Sequence, residues 1–249
     1  MSTLDVPSPA QPSLPTTGHE PPVTDHVLDD AIRASLAGAH ARFAQRRGGA
    51  VRYHPDVAAF TALDDPYDPS AWEDAAALLG PEEDLALPGV ARWPENWRPL
   101  FSAEGVQMIG TDLDPRHDDE AVVLGAADVP EILELIARTE PGPFRVRTVE
   151  LGTYLGIRRG GALVAMAGER LRPPGWTEIS AVCTAPEYRG QGLAGRLVRA
   201  VAAGIVDRGD RPFLHTIASN ENAIRLYRAL GFAIRRTTTF TVLTRAAHD

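Results

Sequence analysis

The run Val182-Cys183-Thr184-Ala185-Pro186-Glu187-Tyr188-Arg189-Gly190-Gln191-Gly192-Leu193-Ala194 carries the most chemistry in this chain. It passes from a β-branched run through a proline-marked turn into a glycine-spaced helix start. Leu197, Val198, Val201, Ala202 and Ile205 then recur at the three-and-four spacing of an amphipathic helix. A strand that feeds a glycine-rich turn into a helix N-terminus can hold a phosphate, because free backbone N–H groups and the helix dipole both favour an anion there. Gly190 and Gly192 let the backbone approach a ligand closely, and small Ala194 keeps the next turn low. The P-loop pattern G-x-x-x-x-G-K-[ST] does not occur. Three arginines (Arg189, Arg196, Arg199) stand against one acid between Glu187 and Arg199, in a chain of formal net charge −8. A positive island on an acidic protein suits a polyanionic small molecule and argues against a nucleic-acid surface.

Arg189-x-x-Gly192-x-Ala194 fits the signature Gln/Arg-x-x-Gly-x-Gly/Ala, with Thr177-Glu178-Ile179-Ser180-Ala181 reading as the strand before it. Downstream, Asn222-Ala223-Ile224-Arg225-Leu226-Tyr227-Arg228-Ala229-Leu230-Gly231-Phe232 has the form N-x-x-x-x-Y-x-x-x-G-F. With both motifs in this order, the chain resembles the GNAT superfamily of acyl-CoA-dependent N-acyltransferases over about residues 118 to 245. The resemblance implies an α/β fold: a mixed, mostly antiparallel sheet flanked by helices. It implies acetyl-CoA as co-substrate, held by Val182, Cys183, Thr184, Arg189, Gly190, Gln191, Gly192, Leu193, Ala194 and Asn222, with the Val182 N–H as an oxyanion donor. It also implies direct transfer to a primary amine, on a small molecule or a protein, in a ternary complex. A non-catalytic acyl-CoA sensor is the alternative.

Acyl transfer from a thioester to an amine requires a base, an oxyanion donor, protection of the leaving thiolate and alignment of two substrates. Glu178 lies where histone-acetylating members of the family place a catalytic glutamate, and Glu169 is its rival. A carboxylate with an ordinary pKa near 4.3 is a weak base for an ammonium, so burial or a relayed water has to help. Tyr227 matches the family's tyrosine and is the expected acid for the thiolate, its phenol staying protonated at neutral pH. Asn222 could bond the CoA arm, although capping explains an asparagine there equally well and Asn220 is better placed as the cap. His215 is a further possible base, but a lone histidine in an apolar strand is more often a satisfied core residue.

At 249 residues the chain has ample length for a core, and 44% hydrophobic with 23% charged residues is ordinary for a globular protein. The single cysteine, Cys183, excludes an internal disulfide and reads as a buried thiol. The seven histidines show no metal-ligand spacing, so no metal is expected. No apolar run is long enough to span a bilayer and no signal peptide is recognisable, which points to a cytoplasmic protein without a membrane partner. Residues 1–24, with six prolines, read as a disordered tail. Residues 25–117 read as an accessory α/β region, and residues 118–249 as the acetyltransferase domain. Expected in the accessory region are a helix from Val27 to about Gln45 stopped by Gly48-Gly49, and a helix opened by a capping box at Ser70–Glu73. The final strands are expected as a pair, Phe232–Arg236 and Thr238–Leu243.

Overall fold

The computed structural model describes residues 26–80 and 83–246; the proline-rich segment 1–24 lies outside the described residues. An eight-stranded sheet organises the chain. Its members are β4 (Leu85–Ala86), β5 (Trp97–Gly110), β6 (Val122–Leu124), β7 (Tyr154–Arg159), β8 (Ala162–Glu169), β9 (Trp176–Thr184), β10 (Arg211–Ile217) and β11 (Phe232–Arg245). In space they run β4-β11-β5-β10-β9-β8-β7-β6. Every pairing is antiparallel except β9 with β10. That pair is joined by α4 (Leu193–Asp207), the long crossover a parallel connection needs. A separate antiparallel sheet holds β1 (Ala44–Arg47), β2 (Ala50–Tyr53) and β3 (Thr61–Leu63). The remaining helices are α1 (Ala31–Ala37), α2 (Pro69–Leu78), α3 (Val129–Thr139) and α5 (Glu221–Ala229).

Strand alternation sorts the core onto two faces. Leu214 packs with Val198, Val201 and Ile205 of α4, while its neighbour Phe213 packs with Leu28, Ile32, Leu36 and Tyr53 of the N-terminal segment. The large sheet is therefore covered by α4 on one side and by α1 with the small sheet on the other. Each fully buried aliphatic of the α4 stripe contributes roughly 1.5–3 kcal/mol by leaving water. The sheet also crosses the boundary expected at residues 117/118, because β5 sits between β11 and β10.

Three local expectations are corrected. The first helix ends at Ala37, where the Gly38 N–H bonds back to the Ser35 carbonyl. Ala44–Arg47 is then a strand folded onto Ala50–Tyr53, so Gly48-Gly49 is a hairpin turn and not a helix stop. The α2 cap is Asp68, which accepts from the Ser70 N–H, rather than Ser70. Residues 232–245 form one strand with register shifts between Ile234 and Arg236 and between Val242 and Leu243, because β5 offers a partner from Gly110 back to Trp97.

Candidate active site

The site arises where β9 and β10 part. They pair from Arg211–Trp176 to Leu214–Ile179 and then separate, which opens the sheet beyond that point. On its other edge β9 carries a bulge: Ser180 pairs with Gly168 and Cys183 with Met166, so Ala181 and Val182 face the single residue between. Ala181 has φ +53°, a conformation that non-glycine residues rarely adopt. A bulge leaves its extra residue outside the ladder, which frees backbone polar groups at the depth where the oxyanion donor is expected. Ala181, Val182, Cys183 and Thr184 line the resulting cleft of about 2200 Å³. That is more than twice the roughly 1,000 Å³ that bounds a typical small-ligand pocket.

The cradle forms one wall. Gly190 (φ +77°) and Gly192 (φ +75°) take left-handed conformations, and a Cβ at either would project into open space. Gly192 is the N-cap of α4 and offers no side chain to the first-turn N–H groups, which leaves them for a ligand. Thr184 Oγ1 is buried with no partner. These features fit the phosphates and amide-rich arm of CoA. Arg189, Gly190, Gly192, Leu193 and Ala194 line the cleft together with Asn222 and Tyr227. Gly190, Gly192 and Gly195 also spell G-x-G-x-x-G, the spacing of dinucleotide-binding turns. The sheet excludes that reading: β9–β10 is its one parallel pair, and no Asp or Glu ends β10 at Thr216-Ile217. The arginine patch is weaker than the sequence suggests, since Arg196 is held by Asp118 at 2.7 Å and by Glu120 at 2.9 Å.

The opposite wall is a side-chain network. Glu178 is completely buried. Its carboxylate accepts from Arg170 Nε at 2.8 Å and Nη2 at 2.6 Å, and bonds His215 Nδ1 at 2.6 Å. Burial alone would raise its pKa; the Arg170 charge and hydrogen bonds, with His215, outweigh that and hold the carboxyl at about 2. A carboxylate so stabilised and so enclosed is a poor proton acceptor, which argues against Glu178 as the direct base. Glu169 is buried on the α4 face and bonded to Arg208 at 2.7 Å, away from the cleft. His215 does line the cleft, as do Arg170 and Gln107.

Tyr227 is buried within α5, its ring edge-on to Phe232 at 6.0 Å, and burial pushes its pKa up to about 12. The phenol is therefore firmly protonated, and a weaker acid than a thiol of ordinary pKa near 8.5. Such a group stabilises a departing sulfur by hydrogen bonding more readily than by full proton transfer. Burial likewise raises the Cys183 thiol to about 11, which disfavours a nucleophilic thiolate. Asn220 caps α5 by accepting from the Ala223 N–H, so Asn222 is not needed as the cap; its Oδ1 accepts from Arg225. Among the described residues no cluster of histidine, cysteine or acid side chains could hold a metal ion, and no helix is long and apolar enough to cross a membrane.

Gln107 and Arg170 belong to no motif that the sequence displays. A glutamine inside the apolar run Val106–Ile109 is the one available signal, since a polar side chain buried there must find partners.

The family described as FR47-like protein matches residues 154–241. The N-alpha-acetyltransferase RimI of Mycobacterium tuberculosis is 35% identical over 129 residues, 46% of this chain and 80% of that protein. The mycothiol acetyltransferase of Corynebacterium aurimucosum is 39% identical over 62 residues, only 24% of this chain and 20% of that relative. A GNAT-family protein from Novosphingobium aromaticivorans superposes with TM-score 0.82 at 41% identity, over 90% of this chain and all of its own. A GCN5-related N-acetyltransferase from Kribbella flavida shares the fold at 19% identity, with TM-score 0.59 over 87% of this chain and 97% of its own. Bulged strand, splayed sheet, glycine cradle and these relatives agree: the chain belongs to the GNAT superfamily of N-acetyltransferases.

Proposed function

We propose that this protein transfers the acetyl group of acetyl-CoA directly to a primary amine, with both substrates bound in the one cleft. The observation that carries the reading is the continuity of that cleft. The Arg189–Ala194 cradle, the bulged β9, Tyr227 and the His215 wall line a single space large enough for two ligands. First-turn N–H groups of α4 would hold the pyrophosphate, and the Thr184 hydroxyl and β9 bulge would receive the amide arm and the thioester. The bulge amide near Val182 would steady the oxyanion, and the Tyr227 hydroxyl would hydrogen-bond the departing sulfur. Because Cys183 stays a buried thiol, direct attack by the amine is favoured over an acyl-enzyme. The amine acceptor extends to this chain what the names of its relatives say of them: an N-alpha-acetyltransferase and a mycothiol acetyltransferase.

The test is CoA thiol release from acetyl-CoA with a panel of primary amines, alongside calorimetric binding. Amine-dependent release is expected, and binding without turnover on any amine would leave a sensor. Gly192→Val should abolish acetyl-CoA affinity, because a side chain would enter the pyrophosphate's approach. Forcing a β-branched residue to φ +75° costs of the order of 1–2 kcal/mol in stability, well short of unfolding. Unchanged affinity would refute the cradle.

A further inference from the structure

His215 is the first residue of β10 beyond its last pairing with β9, so its ring stands at the mouth of the splay with the cleft before it. Its surroundings fix its tautomer. Gln107 Oε1 accepts from Arg235 Nη1 at 2.7 Å, which sets the amide orientation. The amide nitrogen then has two hydrogens: one goes to the Leu28 carbonyl at 2.9 Å, the other to His215 Nε2 at 3.0 Å. Nε2 is therefore an acceptor, and Nδ1–H donates to Glu178 at 2.6 Å. Arg170 locks Glu178 through two bonds, and Phe213 and Phe240 stand edge-on to the imidazole at 5.7 and 6.0 Å. A carboxylate-oriented imidazole on the wall of a substrate cleft, its Nε2 lone pair covered by a neutral amide that lines the same cleft, has the parts of a general base once that amide gives way.

Resting on the acetyl-transfer reading, we infer that His215 Nε2 accepts the proton of the acceptor amine, whose N–H takes the place of the Gln107 amide N–H at that lone pair. One N–H donor replaces another at the same lone pair, and the displaced Gln107 N–H is left to water in the cleft that Gln107 lines, while its bond to the Leu28 carbonyl is kept. The entering ammonium gives one proton to Nε2 and its freed lone pair forms the C–N bond to the acetyl carbon. The C–S bond breaks with its electron pair on sulfur. Nitrogen loses its second proton to water, sulfur takes one proton from water, and His215 returns its own to solvent. Nothing is oxidised or reduced. Glu178 and Arg170 are positioning residues in this scheme, which accounts for a glutamate that belongs to the site yet does not reach the cleft.

The experiment measures CoA release with L-alaninamide, glycinamide and tyramine as probe amines, for wild type, His215→Ala, His215→Gln and Gln107→Leu. Acetyl-CoA affinity and melting temperature are recorded for each. His215→Ala is expected to lower kcat by about a hundredfold to ten-thousandfold with acetyl-CoA affinity retained. Added imidazole should restore it with saturation, a response that a purely structural role would not give. If the Ala variant does not fold, the His215→Gln variant should show the same kcat loss without rescue. Gln107→Leu also removes the bonds to the Leu28 carbonyl and Arg235 and should lower the melting temperature, but below that temperature it should raise kcat/KM for the amine, since no amide competes for Nε2. Full activity of either His215 variant, a folded Ala variant indifferent to imidazole, or a folded Gln107→Leu variant as impaired as His215→Ala would each overturn the inference. A wild type inert towards every amine would remove the acetyl-transfer reading along with it, whereas an active wild type with an active variant removes His215 alone.

Discussion

The two walls of the cleft are built by different means. On the cradle side, thirteen consecutive residues supply nearly everything, and they act through backbone: N–H groups of a helix start, two left-handed glycines and a bulged strand. On the opposite side the working groups are side chains from four separate places in the chain, Gln107, Arg170 with Glu178, His215 and Arg235, tied to the Leu28 carbonyl. Backbone sites tolerate most changes of side chain but not a changed φ. Buried side-chain networks behave in the opposite way, since each member depends on the next and a missing partner leaves a desolvated polar group. Substitutions should therefore act on affinity at the first wall and on folding at the second.

The sharpest break between the walls is expected at Glu178. Glu178→Leu strands the buried Arg170 guanidinium and the His215 Nδ1–H, and loss of one partner of a buried pair costs about 3–5 kcal/mol. Urea titration should show that loss, and Arg170→Met added to Glu178→Leu should recover much of it. A single variant as stable as wild type would mean that the network is exposed to water and does not hold the N-terminal segment in place.

Acid should separate the walls next. Burial lowers the His40 pKa to about 4, its ring nitrogens being bonded to the Tyr53 hydroxyl at 2.9 Å and the Leu151 carbonyl at 3.1 Å. The folded protein keeps this histidine neutral at pH values where the unfolded chain, with a pKa near 6.5, binds a proton. Its stabilisation is complete above pH 6.5 and is lost as pH falls towards 4, by about 3 kcal/mol from the shift of 6.5 to 4. Glu178, lowered from 4.5 to about 2, adds a second loss between those values. Amide exchange should show residues 31–63 opening before α4 does between pH 6.5 and 4. A His40→Gln variant with the same acid profile would assign the loss to other groups.

This contrast also explains what the sequence discloses. The cradle is legible because its determinants are contiguous: glycine spacing, a proline turn and the α4 stripe all lie within one window. Tyr227 is legible for the same reason, through its spacing to Gly231-Phe232. The placement of β5 is not, because nothing in Trp97–Gly110 says that its partners are β10 and β11, more than a hundred residues later. Glu178 could be seen but its state could not. Whether a strand carboxylate is a free base or a buried ion depends on Arg170 and His215, whose approach is a tertiary fact. The first helix is shorter than its apolar pattern suggests: Val27, Leu28, Ile32, Leu36 and Phe43 all pack in one core, yet Phe43 gets there from a turn after Gly38 and not from a continued helix.

At Tyr227 the two walls meet, and a smaller effect is expected there. Tyr227→Phe keeps the ring against Phe232 and removes only the hydroxyl. Because the phenol is a weak acid at about 12, its contribution is a hydrogen bond to the leaving sulfur, about tenfold to a hundredfold in kcat, with melting temperature unchanged. A fall beyond a thousandfold would instead indicate full proton transfer, and none at all would leave Tyr227 as packing.

The smallest effect distinguishes two asparagines two residues apart. Both asparagines line the cleft, but the Asn220 side chain is committed to the cap of α5, accepting from the Ala223 N–H at 3.1 Å, whereas Asn222 lies in the first turn and makes no cap bond. Replacing a capping asparagine by alanine typically costs about 1 kcal/mol, so Asn220→Ala should lower the melting temperature by a few degrees. Acetyl-CoA affinity should be nearly untouched, because the Asn220 carbonyl oxygen is already committed to the Ala223 N–H. Asn222→Ala should do the reverse: no loss of stability, and weaker acetyl-CoA binding if its amide bonds the CoA arm. The pair is measured by thermal melts and calorimetry on the same preparations. Destabilisation by both substitutions would make Asn222 part of the cap and take it out of the site, leaving the cradle wall with backbone and Thr184 alone.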